Sequence, residues 1–338
     1  MTIVLDAMGS DECPVPEILA AIELNSQGEK VLLVGKKDLI EENLLSLKIT
    51  NLPVSIVDAP DIVEMSDKPV ESFRQKPNNS MAVGLRLVQQ GQAEAFVTAG
   101  NTGAAAFNAI TILRRLTGIS RPALAAIIPT KTKKCVFMDT GVNADCRPDF
   151  LLEFAVLGSV YASKVFGIAS PKVGLLSIGE EAEKGSQLVK DAYKLLHASD
   201  LNFYGNVEPK EIYAGLVDVV VTDGFSGNIF IKSSEAVGKL VSETLKTNIS
   251  KSIFSILGYL LAKPAFTKLK KMMDPSETGA AILLGVNGLT FIGHGRSDAK
   301  ALVSAVKLAR HTLDNHLLEE LKIQVQQKVP GNQPFSLN

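Results

Sequence analysis

At 338 residues, with 46% hydrophobic and 21% charged side chains, the chain is long enough for one large core or two moderate ones. A net charge of -1 and the absence of Trp argue against a nucleic-acid-binding surface. Cys13, Cys135 and Cys146 form neither a CxxC pair nor an even disulfide set, and no signal-peptide pattern precedes the first apolar run, so a reducing cytoplasm is expected.

Apolar runs alternate with 3.6-period segments along the chain. Strands are expected at residues 3–5, 31–34, 54–57, 95–98, 124–128, 136–138, 173–176 and 217–221. Helices are expected at 16–23, 37–45, 80–90, 104–113, 149–166, 187–196, 230–248 and 298–321. Such alternation predicts an α/β fold with a doubly wound, mostly parallel sheet. One catalytic unit is expected over 1–325, with a helical excursion at about 251–274 and a loose tail over 326–338.

Several apolar runs end in a polar, Gly-rich cluster that opens a helical pattern: Asp6 to Gly9, Ala99 to Ala104, Asp139 to Asp145, Gly179 to Gly185, and Asp223 to Asn228. Ligands of open α/β sheets sit beyond the carboxyl ends of strands, so these loops are expected on one sheet edge as one active site. Gly100, Asn101, Thr102 and Gly103 place small residues at a helix start, where free N–H groups suit a phosphate. Arg74 and Lys76 precede a helix capped near Asn79 or Ser80, a second anion-friendly place. Lys184, beside Glu180 and Glu181, reads either as a cation for phosphate or an oxyanion, or as part of a solvated charge run.

Asn143 and Asp145 read either as caps or as hydrogen-bonding groups for a substrate. No EF-hand glutamate follows them, and no metal or cofactor is expected. There is no GxGxxG, no P-loop ending and no GxSxG elbow, so NAD, ATP and a serine nucleophile find no support. His294, in a Gly-rich turn, is a candidate for a site role. A reaction whose second substrate is itself the nucleophile needs none from the protein.

Residues 252–262 carry no charge, and Lys263, Lys268, Lys270 and Lys271 follow. The run is short of the ~20 residues a span needs, and Pro264 argues against one continuous helix. Ile256, Leu257, Leu260 and Leu261 therefore read as an interfacial membrane contact, as a docking face for an acidic partner, or as part of a subunit interface.

Taken in order, Asp6-to-Asp11, Arg74-to-Met81, Ala99-to-Ala104, Asp139-to-Asp145, Ile178-to-Gly185, Gly205-to-Glu208 and Asp223-to-Asn228 resemble the successive motifs of the bacterial phosphate acyltransferase family, PlsX. Ser10, Ser177 and Arg296 depart from the residues usual there. The resemblance implies transfer of a long-chain acyl group from acyl carrier protein to inorganic phosphate, giving acyl phosphate for phospholipid synthesis. It implies a fold related to phosphotransacetylases and isopropylmalate dehydrogenases. It also implies a homodimer held peripherally at the cytoplasmic membrane, near the glycerol-phosphate acyltransferase that uses acyl phosphate. Lys184, Asn101, Asp139, Asn143, Asp223 and Asn228 are then the expected catalytic residues. Asp6, Gly9, Arg74, Lys76, Gly100, Thr102, Gly103, Asp145, Glu180, Glu181 and Gly227 are expected to bind substrate. In this reading phosphate, held near Asn101 and by Lys184, attacks the thioester, while Asp139 and Asp223 orient Lys184 or the pantetheine. A nicotinamide-dependent dehydrogenase of the related fold and a non-catalytic phosphate- or lipid-sensing scaffold are the alternatives.

Overall fold

Runs of Val, Ile, Leu and Ala become buried strands because a sheet covered on both faces needs apolar side chains on both. In the computed structural model, which describes residues 1–50 and 53–329, the strands are β1 (Ile3–Asp6), β2 (Val31–Gly35), β3 (Ser55–Asp58), β4 (Ala95–Thr98), β5 (Ala123–Pro129), β6 (Lys134–Met138), β7 (Val173–Leu176), β8 (Phe203–Val207), β9 (Val219–Val221), β10 (Ala281–Leu284) and β11 (Leu289–Ile292). They form one sheet in the order β3-β2-β1-β4-β11-β10-β5-β6-β9-β7-β8. Every expected strand is present. The sequence reading missed β8, β10 and β11, short strands whose runs include Gly205 or end against Gly285 and Gly293.

The pairs are parallel except β11–β10, β10–β5 and β5–β6. That odd number of reversals turns β6, β9, β7 and β8 against β1, β2, β3, β4 and β11. The expectation of a single loop edge is corrected here. Loops after β1 and β4 lie at one edge, and loops after β6, β7 and β9 lie at the opposite one.

One face is a continuous core under α1 (Val15–Ser26), α6 (Pro148–Phe166) and α11 (Ala299–Asp314). The other face is split. One cluster lies under α4 (Ser80–Gln89) and α5 (Thr102–Ile112), and a second lies under α8 (Pro209–Ala214) and α9 (Gly224–Ile249). Between them Ala126 of β5 and Ala281 of β10 are only half-buried, although they sit on central strands. The β10–β5 register sets these alanines opposite each other, on the face that Leu124 and Leu283 share. They leave the sheet partly uncovered between the two clusters.

Three helices differ from expectation, and the first is α9, which begins at Gly224 rather than at residue 230, so that the expected loop after β9 is its first turn. The expected 298–321 helix breaks at His316, which adopts φ 52, and α12 (Leu317–Lys328) turns Leu317, Leu321 and Val325 into the core against α6. Residues 330–338 of the expected tail lie outside the described residues. Helix α10 (Ile253–Met273) runs through Pro264 without a break. The carbonyl that Pro264 frees belongs to Leu260, an exposed residue, so it is not stranded in the core. Helices α9 and α10 pack on each other as a hairpin, and among the described residues only Gly224 and Gly227 of the pair are buried. A short α3 (Pro69–Gln75) packs on α5.

Candidate active site

At the first edge Asp6 is fully buried, and Thr98 Oγ1 donates to its Oδ2 at 2.7 Å while Met8 N donates to Oδ1 at 3.0 Å. Burial raises the Asp6 pKa, and the bonds from Thr98, Ser80 and Met8 oppose that rise. Thr98 Oγ1 also accepts from Gly100 N at 3.0 Å. Asp6 thus organises the two loops rather than facing a ligand. A Cβ on Gly9 would stand 2.8 Å from Ala99 N, so only glycine lets the loops touch.

Asn101 caps α5, its Oδ1 accepting from Ala104 N at 3.0 Å. Its Nδ2 donates to the carbonyls of Met65 and Asp67 at 2.9 and 3.0 Å. The side chain is therefore committed to the 64–67 loop. What remains open is the backbone: Thr102 and Gly103 are exposed, and their N–H groups at a helix start have no intrahelical acceptor. Lys76 is paired with Asp67 and holds that carboxyl below the usual carboxylate range. Arg74 is exposed and makes no ion pair among the described residues.

At the second edge Asp139 is fully buried. Its oxygens accept from the amides of Leu124, Gly141, Val142 and Asn143 and from Asn143 Nδ2, at 2.6 to 3.2 Å. Asn143 Nδ2 also reaches Pro122 O at 2.8 Å. Asp223 caps α9 by accepting from Ser226 N at 2.8 Å. Neither aspartate bonds Lys184, which corrects the idea that they orient it. Gly224 and Gly227 lie tight against Asn143 O and Asp139 O. Asn228 is half-buried beside Gly141, and its side-chain amide has no hydrogen bond among the described residues. Asp145 is exposed.

Lys184 is exposed, with no ion pair among the described residues, while Glu180 pairs with Lys210 at 3.5 Å. Glu181 is exposed, and its carbonyl accepts from Asn206 Nδ2 and Lys184 N. Glu180, Glu208 and Glu211 bring their carboxylates together, a grouping the sequence reading missed. Six strand spacings of about 4.8 Å, roughly 29 Å, separate β4 from β7. Lys184 and the opening amides of α5 therefore do not hold one phosphate within a chain.

The partly exposed alanines Ala126 and Ala281 lie between the two clusters. Val142, from the second edge, packs against the cluster under α4 and α5. Helix α9 crosses back to the first half, where Glu235 bonds both His294 and Arg296 of the turn after β11. Sequence gave no signal for Glu235, a lone carboxylate in mid-helix. Thr98 was signalled only by its place before a Gly-rich loop. Burial pushes Cys13, Cys135 and Cys146 each up to about 12, so none is an activated thiolate.

Ile256, Leu257, Leu260 and Leu261 are exposed on α10, as are Lys263, Lys268 and Lys271; the side chain of Lys270 lies outside what is described. Lys271 reaches Glu277 at 3.5 Å. Among the described residues no helix is long and apolar enough to cross a membrane.

A family model described as "Fatty acid synthesis protein" matches residues 1–320. The phosphate acyltransferase of Elusimicrobium minutum is 43% identical over 324 residues, 95% of either chain. That of Acidobacterium capsulatum is 44% identical over 309 residues, 91% of this chain and 92% of its own. Among solved structures, a phosphotransacetylase from Streptococcus pyogenes superposes with a TM-score of 0.59 at 20% identity, over 94% of both chains. At that identity the likeness speaks of fold alone.

Proposed function

The chain belongs to the PlsX family of phosphate acyltransferases and is an acyltransferase acting on phosphate; from that premise we propose that its acyl donor is a long-chain acyl group on acyl carrier protein and its product an acyl phosphate for phospholipid synthesis. The observation that carries the reading is the exposed opening of α5, where Thr102 and Gly103 offer free amides and a positive dipole end to an anion. Arg74, on the helix that packs against α5, adds a cation with no ion pair among the described residues.

Phosphate held there attacks the thioester carbonyl. A C–O bond forms, the tetrahedral intermediate collapses, the C–S bond breaks and the pantetheine thiolate leaves. A thiolate needs little proton assistance, so positioning and charge stabilisation carry the catalysis. The pantetheine arm and acyl chain lie along the partly uncovered sheet at Ala126 and Ala281. Asn228, whose amide has no hydrogen bond among the described residues, bonds the arm at the far end. Asp139, Asn143 and Asp223 hold the shape of that end, as Asp6, Gly9 and Asn101 hold the first. Lys184, outermost, meets the acidic carrier protein.

The α9–α10 hairpin is read as the contact with a second subunit and with the membrane. Phe225, Ile229, Val237 and Leu240 expose an apolar stripe along α9, which suits a homodimer. Leu257, Leu260 and Leu261, next to Lys263 and Lys268, suit an anionic lipid surface.

The test is to incubate the protein with palmitoyl-acyl carrier protein, with and without phosphate, measuring free carrier thiol and trapping acyl phosphate with hydroxylamine. Equal, phosphate-dependent release of both is expected. Thiol release without phosphate marks a thioesterase instead.

A further inference from the structure

Glu235 lies eleven residues beyond Gly224, where α9 begins, a rise of about 16 Å along the helix. Its Oε1 accepts from His294 Nε2 at 3.1 Å and its Oε2 from Arg296 Nη2 at 2.9 Å. The same turn is tied to the loop after β1, because Gly295 O accepts from Asp11 N at 2.7 Å. A Cβ on Gly295 would stand 2.7 Å from Asp11 Oδ1 and 2.5 Å from Met65 Cε, so the turn is seated against both. At its N-terminal end α9 is fixed to the second edge, where Gly224 N donates to Asn143 O at 2.7 Å. The first half of the helix is thus a strap held at Gly224 and at Glu235.

A lone exposed ion pair would fasten little. Here two donors converge on one carboxylate whose side chain is only 23% exposed. The bond from His294, followed by the nearby charges, holds Glu235 below the usual carboxylate range.

We propose that Glu235, by clasping His294 and Arg296, is a positioning residue for acyl transfer: it fixes the distance between the loop sets at the two edges, and with it the alignment of phosphate and thioester. The proposal rests on the acyl-transfer reading above. Each loop set keeps its own internal bonds when the clasp opens, so substrate binding is retained while alignment is lost. A misplacement of about 1 Å can cost about 100-fold in rate.

The test compares Glu235→Ala, Arg296→Ala and Arg296→Lys in the full-length protein, with steady-state kinetics, thermal unfolding and amide hydrogen exchange. Both alanine variants are expected to lose roughly 10- to 100-fold in kcat, with KM for phosphate and for palmitoyl-acyl carrier protein within about twofold. Exchange at 293–297 should quicken while 139–145 stays protected, and Arg296→Lys should recover most of the lost kcat. A kcat near wild type in Glu235→Ala overturns the proposal. So does a parallel loss of kcat, affinity and thermal midpoint, which marks a merely structural contact. Failure of the wild type to form acyl phosphate sinks the acyl-transfer reading by itself. Exchange then decides the clasp, and unchanged protection at 293–297 in Glu235→Ala rules it out.

Discussion

A Cβ on Gly227 would stand 1.9 Å from the carbonyl oxygen of Asp139, so the first turn of α9 and the loop after β6 meet where no side chain fits. Both partners are backbone, and neither can swing aside as a flexible side chain would. Gly227→Ala must push α9 away from the loop. Overpacking of this kind costs about 1–3 kcal/mol, and the shift should lower kcat/KM by about 100-fold. Calorimetry and steady-state turnover check both numbers, and wild-type turnover in the variant would remove the start of α9 from the site.

Lys184 separates two arrangements of the active site. Its distance from α5 predicts that Lys184→Ala raises KM for acyl carrier protein several-fold and leaves KM for phosphate unchanged. Arg74→Ala should do the reverse. A fall in kcat of about 100-fold in Lys184→Ala, with both KM values intact, would mean that its charge acts on the reacting atoms and that the reaction centre lies at the second edge.

The strands from β1 to β7 and β9 were legible because their apolar runs are continuous and bounded by turn residues. The loops were legible too, since Gly9, Gly100 and Gly227 mark close backbone approaches. Which edge each loop occupies was not legible. That depends on the sense of each strand pair: the two reversals at β10 cancel, and the antiparallel β5–β6 pair turns the far half of the sheet over. Side-chain commitments were hidden for a related reason. Asn101 and Asp139 look like free polar groups in sequence, yet the structure spends them on carbonyls and amides of segments up to 36 residues away. Glu235 bonds a turn 61 residues downstream, a distance over which no local pattern reports.

The hairpin offers a choice between two surfaces. Leu257 and Leu260 are both more than half exposed on α10 and lie within a turn of each other. The double variant Leu257→Glu, Leu260→Glu should stay folded, because neither side chain is in the core. It should lose flotation with anionic vesicles and keep the proposed dimer on size-exclusion chromatography with light scattering. Unchanged flotation removes the membrane contact, and a monomer assigns these leucines to the subunit interface instead.

Glu17, on α1, gives the fold a pH dependence of definite sign. The residue has no exposed surface, Ser10 N donates to its Oε1 at 3.0 Å, and its Oε2 has no hydrogen-bond partner among the described residues. Burial pushes the carboxyl from 4.5 up to about 7. The folded protein therefore prefers the protonated form. This contribution to stability is complete below about pH 4.5, shrinks as the pH rises, and is gone above about 7. The gap between those values corresponds to about 3 kcal/mol between neutral and charged Glu17 at pH 8. Glu17→Gln keeps the shape and the acceptor for Ser10 N but cannot ionise. It should match the wild type near pH 4 and exceed it in urea-unfolding stability at pH 8, by an amount of that order. Asp6, Asp139 and Glu153 are also raised by burial and slope the same way, but they are present in both proteins, so the difference reports Glu17 together with its repulsion from Asp6. Parallel pH profiles for the two proteins would show that Glu17 is already neutral, or already charged, throughout the range.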